Sequence, residues 1–296
     1  MDNTEKIKKY VTDVFGVDTY TLLQEFNGYT LESRLFLANY KFEIYNAIEK
    51  KEGLPYSTYT EDQCLAIKAT IVIEIMRTLM LAIGDLSHIS ISLLGELKDL
   101  PKTFVKISEQ QVKNFVEKGK NLSISDFKRL LCYPDVENMP ISQEDKDFLN
   151  SIYDRGLVII RQRFQQMTDF MNLHNHVYLK NKHGNPLFPV SIGQHLGEGL
   201  DILVTAVYNS RNPTTVKGMI SGKLALEKKL SMLSAIVRFT KDIVQSNIQM
   251  AECGGKRVML FGYGLTPEEK ERVENITNKI NRNITHLNMS SKLQVK

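Results

Sequence analysis

Four of the six histidines lie in one short stretch of the chain. They are His174, His176, His183 and His195, which fall within 22 residues of one another. An imidazole changes its protonation near neutral pH, so such a stretch can supply a general acid or base, a metal ligand or a pH-sensitive contact. The histidine cluster is therefore the strongest pointer to chemistry in the sequence.

His183 stands beside lysine side chains, at Lys180 and Lys182. Cleavage of RNA by its own 2′-hydroxyl needs a proton acceptor and a cation that stabilises charge on the phosphate. We therefore predict His183 as the acid or base and Lys182 as the catalytic cation. Lys180 is predicted to contact phosphates, together with Arg161 and Arg163 of the preceding helix. The alternative for His183 is a structural loop histidine that bonds a backbone carbonyl.

A metal site is a second use of the same histidines. His174 and His176 would converge on one ion only if the local backbone were extended, because alternate residues share a face in a strand and not in a helix. Asp169, Glu198 or Asp201 would then complete the ligand set. The spacing matches no established metal motif, so no metal is predicted.

Other catalytic signatures fail on particular residues. The segment from Gly218 to Leu224 imitates a phosphate loop, but it is one residue short between its glycines and carries Leu224 where Ser or Thr would bind magnesium. Gly262 and Gly264 begin a dinucleotide fingerprint whose third glycine is replaced by Pro267. The sequence contains no His-Glu-x-x-His, Gly-x-Ser-x-Gly or Cys-x-x-Cys. No cofactor is predicted.

The charge is unevenly distributed along the chain. Residues 1–150 hold 18 Lys and Arg against 23 Asp and Glu, a net charge of −5. Residues 151–257 hold 14 against 7, a net charge of +7. A basic region attracts polyanions through Coulomb forces and counterion release. The alternative, which these charges fit at least as well, is an ordinary solvated surface.

Composition and periodicity predict a mainly α fold, a multi-helix bundle with one small β element or hairpin. Only 17 glycines and 8 prolines occur in 296 residues, too few for the many turns of an all-β sandwich. A loop or small hairpin is predicted over 173–190 and a short strand over 258–264. Apolar spacing predicts helices over 4–17, 20–51 with a break at 27–28, 64–83, 108–119, 123–131, 142–172, 191–209, 213 or 218 to 250, and 266–286. The predicted N-terminal caps are Thr60 for the helix that contains 64–83, Ser142 for the helix to 172, and Thr266 for the last helix.

Two regions are predicted from these elements. Residues 1–139 form an acidic N-terminal helical region, and residues 140–296 form a basic C-terminal helical bundle with the histidine-rich loop 173–190. A single continuous domain is the alternative. The apolar stretch from Cys64 to Ile83 is interrupted by Lys68, Glu74 and Arg77, so it predicts a buried core helix and no membrane span.

Three widely separated cysteines favour a reducing compartment over a disulfide scaffold. The first residues, Met1 to Lys6, are polar and acidic where an export signal has basic and apolar residues. A cytoplasmic location is therefore predicted.

The stretch around Lys182, His183 and Gly184, with Leu187-Phe188-Pro189 after it, resembles the helical HEPN-like proteins. In these, a long helix leads to a Lys-His-Gly-type element and then to a proline-containing extended stretch. The resemblance covers roughly residues 142–250 and implies a ribonuclease of a toxin or antiphage system, or an inactive RNA-binding version. The arginine that precedes the histidine by four to six residues in the active group is absent here.

The leading hypothesis is therefore an RNA-directed helical protein, a metal-independent ribonuclease of a stress or antiphage defence system. The rival hypothesis is a non-enzymatic interaction or oligomerisation protein, whose helices bury one another and whose basic face binds an acidic partner; a homo-oligomer or another protein partner is predicted in that case. The rival needs no catalytic residues.

Overall fold

Helices dominate the chain, and the mainly α prediction is confirmed. The computed structural model describes residues 23, 30–95, 106–182, 189–191, 202–206, 216–220, 223–253 and 260–293. The predicted helix over 4–17 lies outside these residues. The helices are α1 (Leu31–Glu49), α2 (Gly53–Thr58), α3 (Glu61–Leu94), α4 (Glu109–Gly119), α5 (Ile124–Leu130), α6 (Gln143–Lys182), α7 (Lys223–Cys253) and α8 (Pro267–Leu293), with a 3-10 turn at Val136–Asn138.

The predicted helix starts carry the expected caps. At α8, Thr266 Oγ1 accepts from the Glu269 N–H at 3.2 Å, while the Glu269 carboxylate accepts from the Thr266 N–H at 2.9 Å. Thr60 and Gln63 make the same reciprocal pair at α3. The Ser142 hydroxyl accepts from the Asp145 N–H at α6. Each cap satisfies amide groups that the first helical turn leaves without a partner.

The long helix α3 forms the core predicted from its apolar stretch, and it continues to Leu94. Two charged residues that interrupt that stretch are paired with α1, because Lys68 Nζ contacts the Glu49 carboxylate and Glu74 accepts from Lys41 Nζ at 3.2 Å. Pairing makes the burial of Lys68 tolerable. No helix in the described ranges is both long enough and apolar enough to cross a membrane.

Helix α6 is ten residues longer than predicted. It runs for 40 residues to Lys182, so the loop predicted over 173–190 is wrong for residues 173–182. The physical reason is that the polar stretch after Asn172 contains no helix-breaking residue before Gly184. Histidine and asparagine lower helix propensity only slightly, and a helix already formed extends through them.

A three-stranded antiparallel sheet lies between α6 and α7 in the sequence. Its strands are β1 (Pro189–Ser191), β2 (Ile202–Ala206) and β3 (Val216–Ile220), in the order β1-β2-β3. Val204 pairs with Val190 on one side and with Gly218 on the other. The helix predicted over 191–209 is therefore wrong at β2, and the helix predicted from 213 or 218 begins only at Lys223. A short apolar run such as Ile202–Ala206 has no periodicity that separates strand from helix.

The strand predicted over 258–264 is also wrong for residues 260–264, which adopt irregular backbone. Gly264 has φ of +67°, a left-handed conformation that suits glycine and interrupts an extended run. Residues 258 and 259 lie outside the described ranges.

Contacts divide the chain into two compact units. One contains residues 1–30, 85–166 and 238–296, and the other contains residues 31–84 and 167–237. Each unit is assembled from stretches that are distant in sequence. The division predicted between residues 139 and 140 stays a prediction.

Candidate functional site

The end of α6 carries the predicted catalytic and phosphate-binding lysines. Lys180 and Lys182 belong to the last turn of the helix, and His183 is the next residue in the chain. Strand β1 begins six residues later, at Pro189. His183 itself lies outside the described residues. The predicted catalytic pair thus falls where a long helix ends.

The backbone around His174 and His176 is helical, which bears on whether the two imidazoles could bind one metal ion. Successive residues of an α-helix are rotated by about 100°, so residues two apart lie about 200° from each other around the axis. The extended backbone that a shared metal site requires is therefore absent at this pair. His195, Glu198 and Asp201 lie outside the described ranges. Within those ranges no group of three His, Cys, Asp or Glu side chains is placed to hold a metal ion.

Arg161 is bonded to the backbone of the turn between α4 and α5. Its Nε and Nη2 atoms donate to the Leu122 carbonyl oxygen at 2.9 and 2.6 Å. A guanidinium has five N–H donors, so three remain for the predicted phosphate contact. Arg163 lies about 200° away around α6 and donates to Gln166 Oε1 at 2.8 Å. The two arginines are on opposite sides of the helix and do not form one surface.

A buried pair of an acid and a phenol joins α7 to the segment before α8. Tyr263 Oη donates to Asp242 Oδ2 at 2.9 Å, and the two residues are only 7% and 8% exposed. Burial raises the pKa of Asp242 to about 6, although the Tyr263 hydrogen bond and the charges of Arg238 and Lys241 act to lower it. Asp242 is thus an acid that changes charge close to neutral pH.

Aromatic rings enclose this pair. Tyr133 Oη donates to the Phe261 carbonyl, and the Tyr133 ring stacks on Tyr153 with centroids 4.4 Å apart. Burial raises the pKa of Tyr133 and of Tyr263 well above the usual value, so both phenols stay neutral donors. The name Tyr–Asp cluster is used below for the set Phe127, Tyr133, Tyr153, Phe239, Asp242 and Tyr263, whose rings also contact one another through Phe127 and Phe239.

The Tyr–Asp cluster is chemically a proton donor and acceptor pair, but it is closed to large substrates. Neither Asp242 nor Tyr263 presents enough surface for a polynucleotide to reach. The hydrogen bond between Tyr263 and Asp242 instead attaches the segment 260–266 to α7. Sequence reasoning missed it, although Asp242 lies three residues after Phe239 on the apolar face of a helix, where an acid is unusual.

A groove of about 340 Å³ runs beside the start of α6 and the first half of α8. Two cations in its lining bind the same carboxylate, since Asp145 accepts from Arg272 at 3.3 Å and from Lys279 at 3.4 Å. Burial acts to raise the pKa of Asp145, but hydrogen bonds from Ser142, Arg272 and Lys279 outweigh it and lower the pKa. The charges of the groove are thus used to hold the two helices together.

An exposed apolar ridge lies on α1. Phe36, Leu37 and Tyr40 are 69%, 51% and 54% exposed, whereas Ala38 and Tyr45 on the other side of the helix are buried. These three residues are called the α1 ridge below. The signal was present in the sequence, because all three lie off the core-facing stripe of the helix, which consists of Leu31, Leu35, Ala38, Phe42 and Tyr45.

No protein-family model, curated protein or solved structure matches the chain.

Proposed function

We propose that the protein is an RNA-directed, HEPN-like helical protein, a cytoplasmic metal-independent ribonuclease of a stress or antiphage defence system. The observation that carries the proposal is the order of elements around Lys182. Helix α6 ends at Lys182, which is also the first residue of the Lys-His-Gly element, and extended backbone begins at Pro189. This is the order that the resemblance to HEPN-like proteins implies.

The helix end suits the proposed chemistry. The last carbonyl groups of a helix lack intrahelical partners and carry a partial negative charge, which favours cations near them. The position of Lys182 at the end of α6 is one that favours a cation. His183 would exchange a proton with the reacting hydroxyl or the leaving oxygen, and Lys182 would stabilise the charge on the phosphate.

The charge of residues 151–257 supports RNA as the substrate. This region has a net charge of +7 and contains α6 beyond its first turns, the sheet and α7. Lys180 and Arg163 supply further cations along α6. A polyanion gains affinity from each phosphate that such side chains neutralise.

The test is incubation of the full chain with total RNA, with and without a chelator. The wild-type protein should cleave RNA equally in both conditions. The variant His183→Ala should lose about 10²-fold or more of the activity, because a positioned acid or base contributes about that much. His286→Ala, a histidine outside the cluster, is the matched control and should retain full activity.

Thermal unfolding separates a catalytic role of His183 from a structural one. The midpoint of His183→Ala should equal that of the wild type. Uncleaved RNA with the wild-type protein contradicts the ribonuclease proposal, and cleavage that stops with chelator contradicts its metal independence. RNA that stays intact but binds with an affinity that falls steeply with salt would identify an inactive, binding version.

The α1 ridge favours a second candidate function, an oligomerisation protein. We infer that the occupant of the ridge is the basic region of a second copy of the chain. The ridge is flanked along α1 by the exposed acids Glu32 and Glu43, while residues 151–257 are strongly basic. An apolar contact bordered by opposite charges is the usual composition of a protein interface.

Sedimentation velocity over a range of protein concentrations tests this candidate. The wild type should self-associate, and the double variant Phe36→Ser with Tyr40→Ser should remain monomeric. Tyr59→Ser changes a side chain of similar exposure that lies outside both the ridge and residues 151–257, so it is the matched control and should associate as the wild type does. A wild type that is monomeric at every concentration excludes this function.

A further inference from the structure

The segment 260–266 is attached to the rest of its unit at defined points. Tyr263 Oη donates to the Asp242 carboxylate, and the Phe261 carbonyl accepts from Tyr133 Oη. At Gly264 a side chain would meet Ile159 Cδ1 at 2.8 Å, so the backbone lies close against α6. The segment then enters α8 through the Thr266 cap.

Asp242 is surrounded by groups from several elements. Tyr263 faces it from the segment and Tyr133 from the stretch that follows α5. Arg238 and Lys241 act on it from α7 itself. The phenols remain neutral between pH 5 and 8, because burial raises their pKa well above that range. Asp242 is therefore the member of this group whose charge changes in that range.

We propose that these residues form an acid-strengthened latch, in which protonation of Asp242 tightens the attachment of segment 260–266 and its ionisation loosens that attachment. The latch is a property of the fold and does not depend on RNA cleavage. A protonated carboxyl keeps an oxygen that accepts the Tyr263 hydrogen bond and removes a buried charge. An ionised carboxylate retains the hydrogen bond but has lost most of its hydration, and this loss costs free energy in the buried position. Ionisation therefore favours an opened segment in which water reaches the carboxylate.

The sign follows from the direction of the pKa shift. The pKa of Asp242 is raised from 3.8 to about 6 in the closed structure. Its contribution to closure is fully present below 3.8 and is lost as the pH rises through about 6. If opening returns the carboxyl to water, the opening equilibrium constant increases about tenfold between pH 5.0 and pH 7.5.

Neighbouring acids do not produce the same signal. Hydrogen bonds from the Thr266 backbone and from Arg155 lower the pKa of Glu269, and Asp145 is also shifted downward. Stability that depends on these carboxylates is lost on acidification, below the proposed range, and has the opposite sign. The latch is thus recognisable by a weakening towards neutral pH.

Amide hydrogen exchange of the full chain, read by mass spectrometry, tests the latch. Exchange rates of peptides that cover 260–266 are divided by the intrinsic rates at pH 5.0 and at pH 7.5. In the wild type the protection factor should be about tenfold lower at the higher pH. Asp242→Asn keeps an acceptor for Tyr263 without a charge and should abolish the difference. Asp154→Asn, at an exposed position of α6, should preserve it.

Equal protection of the wild-type segment at both pH values would overturn the latch, as would a tenfold difference that persists in Asp242→Asn. A direct titration covers the case in which that variant fails to fold. The Asp242 carboxyl carbon, followed by NMR in the wild-type protein, should titrate with a midpoint near 6. A midpoint below 4.5 would equally overturn the proposal.

Discussion

Aromatic side chains serve opposite purposes in the α1 ridge and in the Tyr–Asp cluster. Phe36 and Tyr40 lie on the surface of a helix and are each more than half exposed. Phe127 is fully buried, and Tyr263 places its hydroxyl on a buried carboxylate. A ring contributes to stability only when neighbouring groups cover it, and its hydroxyl contributes when it has a defined partner.

The same types of aromatic residue therefore have different effects at these two places in the protein. The cluster stabilises the fold and offers no surface, whereas the ridge offers a surface and leaves the fold unaffected. A substitution in the cluster should therefore change the free energy of unfolding. The same substitution in the ridge should change association alone.

The largest effect is expected from removing a ring. Phe127→Ala should lower the free energy of unfolding by about 3–5 kcal/mol, because it leaves a cavity among Tyr133, Phe239 and Tyr263. Phe36→Ala is the matched substitution and should change it by less than about 0.5 kcal/mol. Urea unfolding at pH 7 measures both. Similar losses in the two variants would mean that the ridge is part of the core.

A smaller effect is expected from removing one hydroxyl. Tyr263→Phe leaves a buried carboxylate without its phenol donor and should cost about 1.5–3 kcal/mol at pH 7. Tyr40→Phe removes an exposed hydroxyl and should be neutral within about 0.5 kcal/mol. The same urea titrations give both values. A neutral Tyr263→Phe would show that the hydrogen bond contributes nothing to stability.

The smallest contrast concerns two glycines. A Cβ atom on Gly119 would lie 2.2 Å from the Phe164 ring, whereas one on Gly84 would meet nothing within 4 Å. Gly119→Ala should therefore destabilise by about 1–3 kcal/mol through overpacking. Gly84→Ala lies inside α3 and should stabilise by about 0.5–1 kcal/mol through helix propensity. Thermal midpoints measure both effects. A midpoint that rises in Gly119→Ala as well as in Gly84→Ala would show that the Phe164 ring moves to make room for the new methyl group.

Local signals predicted the helix starts well. Thr60, Ser142 and Thr266 lie where capping residues were expected, and their side chains accept the hydrogen bonds that this role requires. Such caps depend on residues three positions apart. Sequence reveals them because the interaction closes within a single turn.

Signals that depend on distant residues were missed or misread. The strand at Ile202–Ala206 differs from the predicted helix. An apolar run of five residues suits either a helix or a strand. In the structure this run is a strand, because Val204 pairs with Val190 on one side and with Gly218 on the other. No local pattern contains those partners.

The predicted functional site shows the same difference between local signals and contacts of distant residues. Lys180 and Lys182 were identified by residue type alone, and helix α6 places Lys182 at its last position. Arg161 and Arg163 are two positions apart, which puts them on opposite sides of α6, and their phosphate contacts stay predictions. Asp242 was not singled out, because its partners Tyr263 and Tyr133 come from other parts of the chain.

The amino-acid sequence alone determined that this protein is mainly helical, where several helices begin, and which stretch concentrates basic and imidazole groups. These properties depend on composition and on contacts within a few residues. Only the tertiary structure decided which aromatic rings are buried, which arginine binds backbone and which acid has a raised pKa. Burial and electrostatic environment are set by residues that become neighbours only when the chain has folded.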